Sequence, residues 1–328
     1  MSDPGRKSSA RSNAPISSHR REYERRVNRV VDYVQAHLAD ELTLERLAAV
    51  AAFSPFHFHR VFLGITGETL SDFIRRIRIE RAASALALLH ETSVLEIAQR
   101  YGFSSAAGFA RAFRSHFGMS ATQWRDGGAQ QWDSNRRKAN RNPGQVNRNR
   151  RKATPEPKPH RRLVRSKAGV MAVETREIPS YRVAYMRHVG PYGEGGEVTQ
   201  LWTNFERWIR ARDLRQPGTL TIGIGHDAPR IADPDKLRYD AGIVVREDFR
   251  PDRFVNVADL PGGKYAVARF EGAPTGISEA WDTLFTTWIP SSGYQPEDRP
   301  CLELYRGDGA RPAPGHLRCE LCLPVGPL

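Results

Sequence analysis

With 328 residues, 39% of them hydrophobic and 27% charged, the chain is too long for one ordinary domain, and two is the prior. It has no run of 18 apolar residues, which excludes a membrane-spanning helix and predicts a cytoplasmic protein with no membrane partner. The three cysteines, Cys301, Cys319 and Cys322, cannot complete a disulfide framework, which fits a reducing compartment.

The net charge of +13 is unevenly spread: +3 over residues 1–20, +2 over 21–132, +11 over 133–167 and −3 over 168–328. Residues 1–22 predict a disordered basic tail, because no apolar core follows Arg6, Lys7 and Arg11. Over 23–38, Val27, Val30, Val31, Val34 and Leu38 recur at helical spacing and predict one amphipathic helix. Leu44–Val50 predicts a short helix. Ser54-Pro55 is a helix start, and Phe58, Val61 and Phe62 form the apolar side of the helix that follows. Phe56, His59 and Arg60 fall on another face. Two short helices with a tight connection fit a helix-turn-helix.

That order recurs. Leu70–Leu89 predicts a long connecting helix, and Ser93-Val-Leu-Glu96 is a capping box. Tyr101-Gly102-Phe103 makes a turn, Ser104 is read as the next cap, and Phe109, Ala112, Phe113 and Phe117 form a buried side. Two such motifs on one rigid helix suit successive major-groove faces, about 34 Å apart along the duplex. Residues 23–127 therefore predict an α-helical double helix-turn-helix domain.

Residues 128–168 hold the basic runs Asn135–Lys138, Arg148–Lys152 and Arg161-Arg162 with few large apolar side chains, and predict a flexible linker. Such a segment is either a solvated spacer or a mobile polycation that adds phosphate contacts. Its length argues against tight mechanical coupling of the flanking domains. Residues 169–328 predict an α+β domain of duplicated β-α-β-β units. Strands are predicted at 173–178, 182–187, 219–225, 239–246, 264–271, 301–306 and 318–325, with helices at 194–212 and 278–289. A duplicated unit implies a pseudo-twofold and a cleft between its halves. If 318–324 is a strand, Cys319 and Cys322 point to opposite faces, so strand packing competes with a metal or redox pair. His57 and His59 do not share a metal-binding face, and no metal or cofactor is predicted.

Residues 23–127 resemble the AraC/XylS family of DNA-binding domains. The resemblance rests on Leu44-x-x-Leu47-Ala48, Ser54-Pro55 through Arg60-x-Phe62, Arg78-x-x-x-Ala82, Ile97-Ala98-x-x-Tyr101-Gly102-Phe103-Ser104, Phe109-x-Arg111-x-Phe113-x-x-x-Phe117-Gly118 and Trp124-Arg125. It implies a first recognition helix over 54–62, with Ser54, Phe56, His59 and Arg60 at DNA. It implies a second over 105–113, with Ser105, Ala106, Ala107, Gly108 and Arg111 there. Arg60 is suited to a bidentate guanine contact, whereas Ala106, Ala107 and Gly108 offer only methyl and shape readout.

Residues 170–326 resemble the GyrI-like effector-binding domains. The matching stretches are Arg182–Tyr192, Arg238–Gly242, Gly263-x-Tyr265-Ala266-Val267, Trp288-x-Pro290-x-Ser292-Gly293 and Glu303-x-Tyr305. The resemblance implies a carboxylate, Glu303, at the bottom of an aromatic pocket drawn from Tyr185, Tyr192, Trp202, Trp281, Trp288 and Tyr305. Such a site attracts a small lipophilic or cationic effector. Helical stripes of tryptophan are ordinarily core, which competes with a pocket role for Trp202, Trp281 and Trp288.

The combined reading is a sequence-specific transcription regulator, an activator on family grounds, and not an enzyme. Its implied partners are double-stranded promoter DNA, RNA polymerase and a small-molecule effector. Two recognition helices in one chain make a monomer sufficient for DNA binding. Two alternatives stand beside it. In one the C-terminal domain is a hydrolase of electrophilic small molecules, with Glu303 as general base and Tyr185 or Tyr305 as proton donor. In the other it is a gyrase-type partner-binding module.

Overall fold

In a computed structural model that describes residues 18–141, 165–166, 169–170, 172–192, 196–216, 218–306 and 315–327, the valine stripe becomes the inner face of helix α1 (Ser18–Ala36). Val27, Val30, Val31 and Val34 are buried there. Most of the tail, with Arg6, Lys7 and Arg11, and the basic runs 148–152 and 161–162 lie outside the described residues. Helix α2 (Leu44–Val50) is capped by Thr43, whose side chain accepts from Arg46 N at 3.3 Å. Helix α3 (Pro55–Thr66) follows with proline in its first turn, and Phe58 and Phe62 are fully buried beneath it.

Helix α4 (Leu70–Leu88) carries the second motif, which consists of α5 (Val94–Arg100) and α6 (Ala106–Phe117). The Ser93–Glu96 capping box forms as read. The cap of α6 is Ser105 and not Ser104, because the donor to be satisfied is Gly108 N, three residues on, which bonds Ser105 Oγ at 3.1 Å. A further capping box, Ser120 with Gln123, opens α7 (Ala121–Gln123). The chain then kinks at Asp126-Gly127, where Gly127 has φ +109°, before α8 (Ala129–Arg141). The buried indole of Trp124 donates to Ala83 O at 2.9 Å and pins this end to α4.

Arg78 joins the two motifs. Its guanidinium donates to Leu38 O at 2.9 Å, Asp40 O at 2.9 Å and Gly102 O at 3.0 Å. Gly102 has φ +78°, and a Cβ there would sit 2.4 Å from Leu38 O, so the turn before α6 requires glycine for two reasons.

The C-terminal part begins with a short ladder, β1 (Arg165–Ser166) on β2 (Gly169–Val170). One large antiparallel sheet follows: β3 (Val173–Ile178), β4 (Tyr181–Val189), β5 (Leu220–Gly225), β6 (Arg238–Val244), β7 (Asn256–Leu260) and β8 (Gly263–Gly272). It also takes in β9 (Tyr294–Pro296), β10 (Cys301–Arg306) and β11 (Leu317–Pro327). Helix α9 (Glu197–Arg210) lies between β4 and β5. Helix α10 (Ile277–Thr283), a π turn at Leu284–Trp288 and α11 (Ile289–Ser292) lie between β8 and β9. The strand order β3-β8-β11-β10-β5-β6-β4-β7 is symmetric about the β10–β5 pair, as a duplicated unit requires, with β3 and β7 exchanged between halves.

Both helical segments cover one face of the sheet in two separate apolar clusters, one under α9 with Ala184, Ala241 and Ile243, the other under α10 and α11 with Ala266, Ala268 and Leu321. The opposite face buries Val183, Tyr185, Ile222, Leu302, Leu304 and Val267. Cys319 packs in the first layer and Cys322 in the second, so the two thiols do face opposite ways. Among the described residues no cluster of metal-ligating side chains occurs.

Two expectations about the linker need correction. Residues 129–141 are helical, because Trp132 packs against the helical core and Arg136 donates to Ile231 O and Ala232 O at 2.9 and 2.6 Å. The domains are also docked on each other, which the length of the linker seemed to disfavour. Chain length sets the cost of tethering, and it does not weaken complementary surfaces. Lys236 pairs with Glu68 at 2.8 Å, Arg81 with Asp298 at 3.2 Å, and Asn256 Nδ2 donates to Arg25 O at 2.8 Å.

Glu80 lies buried at the α4–α6 contact, 3.1 Å from Arg76 and 3.9 Å from His116 Nε2. Burial outweighs Arg76 and pushes its carboxyl up to about 7 from an ordinary 4.5. A pKa raised on folding favours the protonated native state, so this contribution is fully present below 4.5 and lost as pH rises through about 7. The melting temperature of Glu80→Gln should therefore fall less than wild type between about pH 5 and about pH 8. Parallel melting curves at those two values check it, and equal slopes would contradict the burial of an ionisable Glu80.

Candidate effector and DNA-contacting sites

Glu303 occupies the middle of β10, where alternation sends Leu302 and Leu304 to one face and Cys301, Glu303 and Tyr305 to the other. It lies between the two helical segments, against Tyr239 and Trp281, and is only 7% exposed. Three donors meet its carboxylate. Tyr239 OH and Tyr305 OH reach Oε2 at 2.6 and 2.8 Å, and Trp281 Nε1 reaches Oε1 at 3.0 Å. Trp202 on α9 completes the rim: its Nε1 donates to Tyr239 OH at 3.3 Å and its ring stands edge-on to Tyr305, 5.2 Å between centroids. Burial first, and the carboxylate next, raise the pKa values of Tyr239 and Tyr305 well above the phenol range, so both stay protonated donors. Among the described residues the three donors to Glu303 are all neutral, so these bonds satisfy lone pairs without supplying a counter-charge.

Tyr239 belongs to β6, two strands from β10, and it reaches Glu303 because the strand between them carries glycine. Glu303 is registered with Gly223, and Tyr239 with Gly225. A Cβ at Gly223 would lie 2.1 Å from Tyr239 Oη and 2.7 Å from Glu303 Oε2.

The aromatic residues read from sequence divide. Trp202, Trp281 and Tyr305 surround Glu303. Tyr192 stands one ring further out, with its centroid 5.8 Å from Tyr239 and its hydroxyl donating to Arg238 O. Trp288 stacks on Tyr294 at 6.2 Å within the core under α11, away from the carboxylate. Tyr185 does not join the pocket. Strand alternation turns it to the opposite face, where its hydroxyl donates to Asp32 of α1. Tyr239 was missed as a site residue, although it lies in the stretch Arg238–Gly242; its role depends on the gap over Gly223, which is a tertiary fact.

On the helical domain, His59, Arg60, Ala106, Ala107 and Arg111 are exposed along α3 and α6, while Gly108 is half-buried. The side chain of Phe56 lies outside the described residues. Ser54 Oγ sits 3.0 Å from His57 Nδ1, and Ser105 Oγ is engaged as a cap acceptor, with its proton still available to donate.

A model described as a GyrI-like small molecule binding domain matches residues 171–326, and a helix-turn-helix domain model matches residues 47–127. The SPbeta prophage-derived regulator YosT of Bacillus subtilis is 32% identical over 155 residues, covering 47% of this chain and 99% of that protein. The chain belongs to the GyrI-like family. A second GyrI-like relative, the DNA gyrase inhibitor of Cronobacter sakazakii, is 32% identical over 156 residues, 47% of this chain and 92% of that one. The transcriptional regulator Rob of Salmonella typhimurium is 24% identical over 301 residues, 89% of this chain and 95% of that one, so the similarity spans both domains. This GyrI-like protein is accordingly a DNA-binding transcription regulator of AraC type, with its effector-binding domain C-terminal to the reader.

Replacing Gly223 by alanine should push the Tyr239 phenol off Glu303 and lower stability by about 1–3 kcal/mol through overpacking. Chemical denaturation of the full chain measures this. A wild-type midpoint would mean that the Tyr239–Glu303 contact does not depend on the open position at Gly223.

Proposed function

We propose that the protein is a transcription activator that reads promoter DNA with α3 and α6 and responds to a lipophilic cation bound over Glu303. The observation that carries the effector class is the buried carboxylate whose three donors are all neutral. A buried anion without a counter-ion gains most from a ligand that brings positive charge and little hydration of its own. The indoles of Trp202 and Trp281 add cation–π attraction of about 0.5–2 kcal/mol each where they face such a ligand. Both carboxylate oxygens are already engaged, which favours a binding site over one in which Glu303 activates water for hydrolysis.

In this reading Arg60 reads a guanine edge, Arg111 is the polar contact of the second helix, and Ala106 and Ala107 meet thymine methyls. One chain supplies both readers, so a monomer suffices on DNA, and RNA polymerase is the partner through which activation proceeds.

The test of the effector site is titration of the full chain with tetraphenylphosphonium, and with triphenylphosphine oxide as a neutral analogue, followed by tryptophan fluorescence. Saturable quenching by the cation alone is expected, weakened about tenfold or more in Glu303→Gln. Equal affinity in the two proteins would remove Glu303 from the site. For the DNA surface, competition between promoter and random duplex at fixed salt should show a loss of about 1–3 kcal/mol of discrimination on replacing Arg60 or Arg111 by alanine. Undiminished selectivity in the double variant would contradict direct readout.

A further inference from the structure

Three consecutive residues of β6 connect the proposed effector site to the helical domain. Tyr239 faces the helices and bonds Glu303, as described. Its neighbours Arg238 and Asp240 face the other way, toward α1 and α4. Asp240 is 1% exposed and holds Arg187 through two hydrogen bonds of 2.7 Å, with His226 Nε2 at 2.6 Å on the same carboxylate. Arg187 in turn donates to Asp32 of α1 at 2.8 Å, beside the Tyr185 hydroxyl on the same side chain. Arg238, 3% exposed, is paired with Asp227, and its guanidinium lies 5.8 Å from the ring centroid of Phe73 on α4. With its amide oriented by its hydrogen bonds, Gln35 of α1 accepts from Arg238 at 3.1 Å.

We propose that β6 couples the two domains: a cation taking up the Glu303 carboxylate displaces Tyr239, shifts Arg238 and Asp240 with it, and weakens the docking of α1. This rests on the reading of Glu303 as the effector site. The geometry leaves Tyr239 little freedom to move by rotation alone. Its ring is buried, its hydroxyl stands over Gly223 between Trp202 and Glu303, and Tyr192 donates to the carbonyl of Arg238 beside it. Displacing the phenol therefore moves the β6 backbone, and the two charged neighbours on the far face move with it. Arg238 meets Gln35 and Phe73 directly, and Asp240 reaches Asp32 through Arg187. Close-packed layers of this kind switch between discrete arrangements instead of deforming smoothly. Coupling of binding free energies is reciprocal, so docking of α1 must weaken cation binding by the same factor by which the cation weakens docking.

Two measurements on the full chain decide this. The first needs no ligand: amide hydrogen exchange of residues 20–36 in Tyr239→Phe and in Tyr305→Phe. Each variant removes one phenolic bond from the same carboxylate oxygen, but only Tyr239 lies on β6. Faster exchange of α1 in Tyr239→Phe, with wild-type exchange in Tyr305→Phe, is the expected result. No change in Tyr239→Phe, or equal acceleration in both variants, overturns the relay, the latter because it reports general loosening. The second is tetraphenylphosphonium affinity in Asp32→Asn, expected to rise about fivefold or more over wild type. Unchanged or weaker binding there overturns the proposed direction. Absence of cation binding by wild type would dismiss the effector reading, while the exchange experiment would still decide whether β6 links the two faces.

Discussion

A β-strand can send neighbouring side chains only to opposite faces, and the C-terminal domain is organised around that constraint. On β10 it separates Glu303 from Leu302 and Leu304, so a charge enters the helix-covered layer while the apolar neighbours seal the other side. On β6 it separates Tyr239 from Arg238 and Asp240. On β4 it sends Tyr185 and Arg187 toward α1 while Ala184 packs under α9. One sheet thereby presents a buried glutamate ringed by aromatic donors on one face and a charged docking surface on the other.

The site is asymmetric within a symmetric frame. The strand order is balanced about the β10–β5 pair, yet one half contributes Glu303 and the other contributes Gly223 directly across from it. Two carboxylates at that distance would repel in a buried setting, and a second side chain would block Tyr239. Glycine opposite glutamate leaves room for a phenol from the next strand and keeps the charge single. The docking surface handles charge differently. Burial works against the charge on Arg187, but Asp240 and Asp32 outweigh it and hold the guanidinium firmly protonated. Asp240, for its part, is kept down at about 2 by Arg187 and His226 despite its burial.

Much of this was legible in the sequence because it is local or periodic. The valine stripe of α1, the Ser93–Glu96 box, the phenylalanines of α6 and the duplicated strand order are short-range patterns, and each formed. Four of the misses share a cause. Strand β7 (Asn256–Leu260) is five residues with weak alternation, and pairing with β4 makes it a strand. Tyr185 looked like a pocket residue by its motif, and only its face on β4 sends it to Asp32. Helix α8 has a polar, basic composition whose docking partners, Ile231 and Ala232, lie about a hundred residues further along the chain. Tyr239 required the gap at Gly223. Each of these four depends on a contact that no local window contains.

The tie made by Arg78 has a different consequence. Its three partners are backbone carbonyls, of Leu38, Asp40 and Gly102. Carbonyl oxygens do not titrate at physiological pH, and no side-chain replacement at positions 38 or 40 deletes them. The polar tie between the two motifs thus rests on one arginine and one glycine, beside the apolar core that both motifs share. Side chains at 38 and 40 can therefore change without removing these acceptors, provided that the buried position of Leu38 stays apolar.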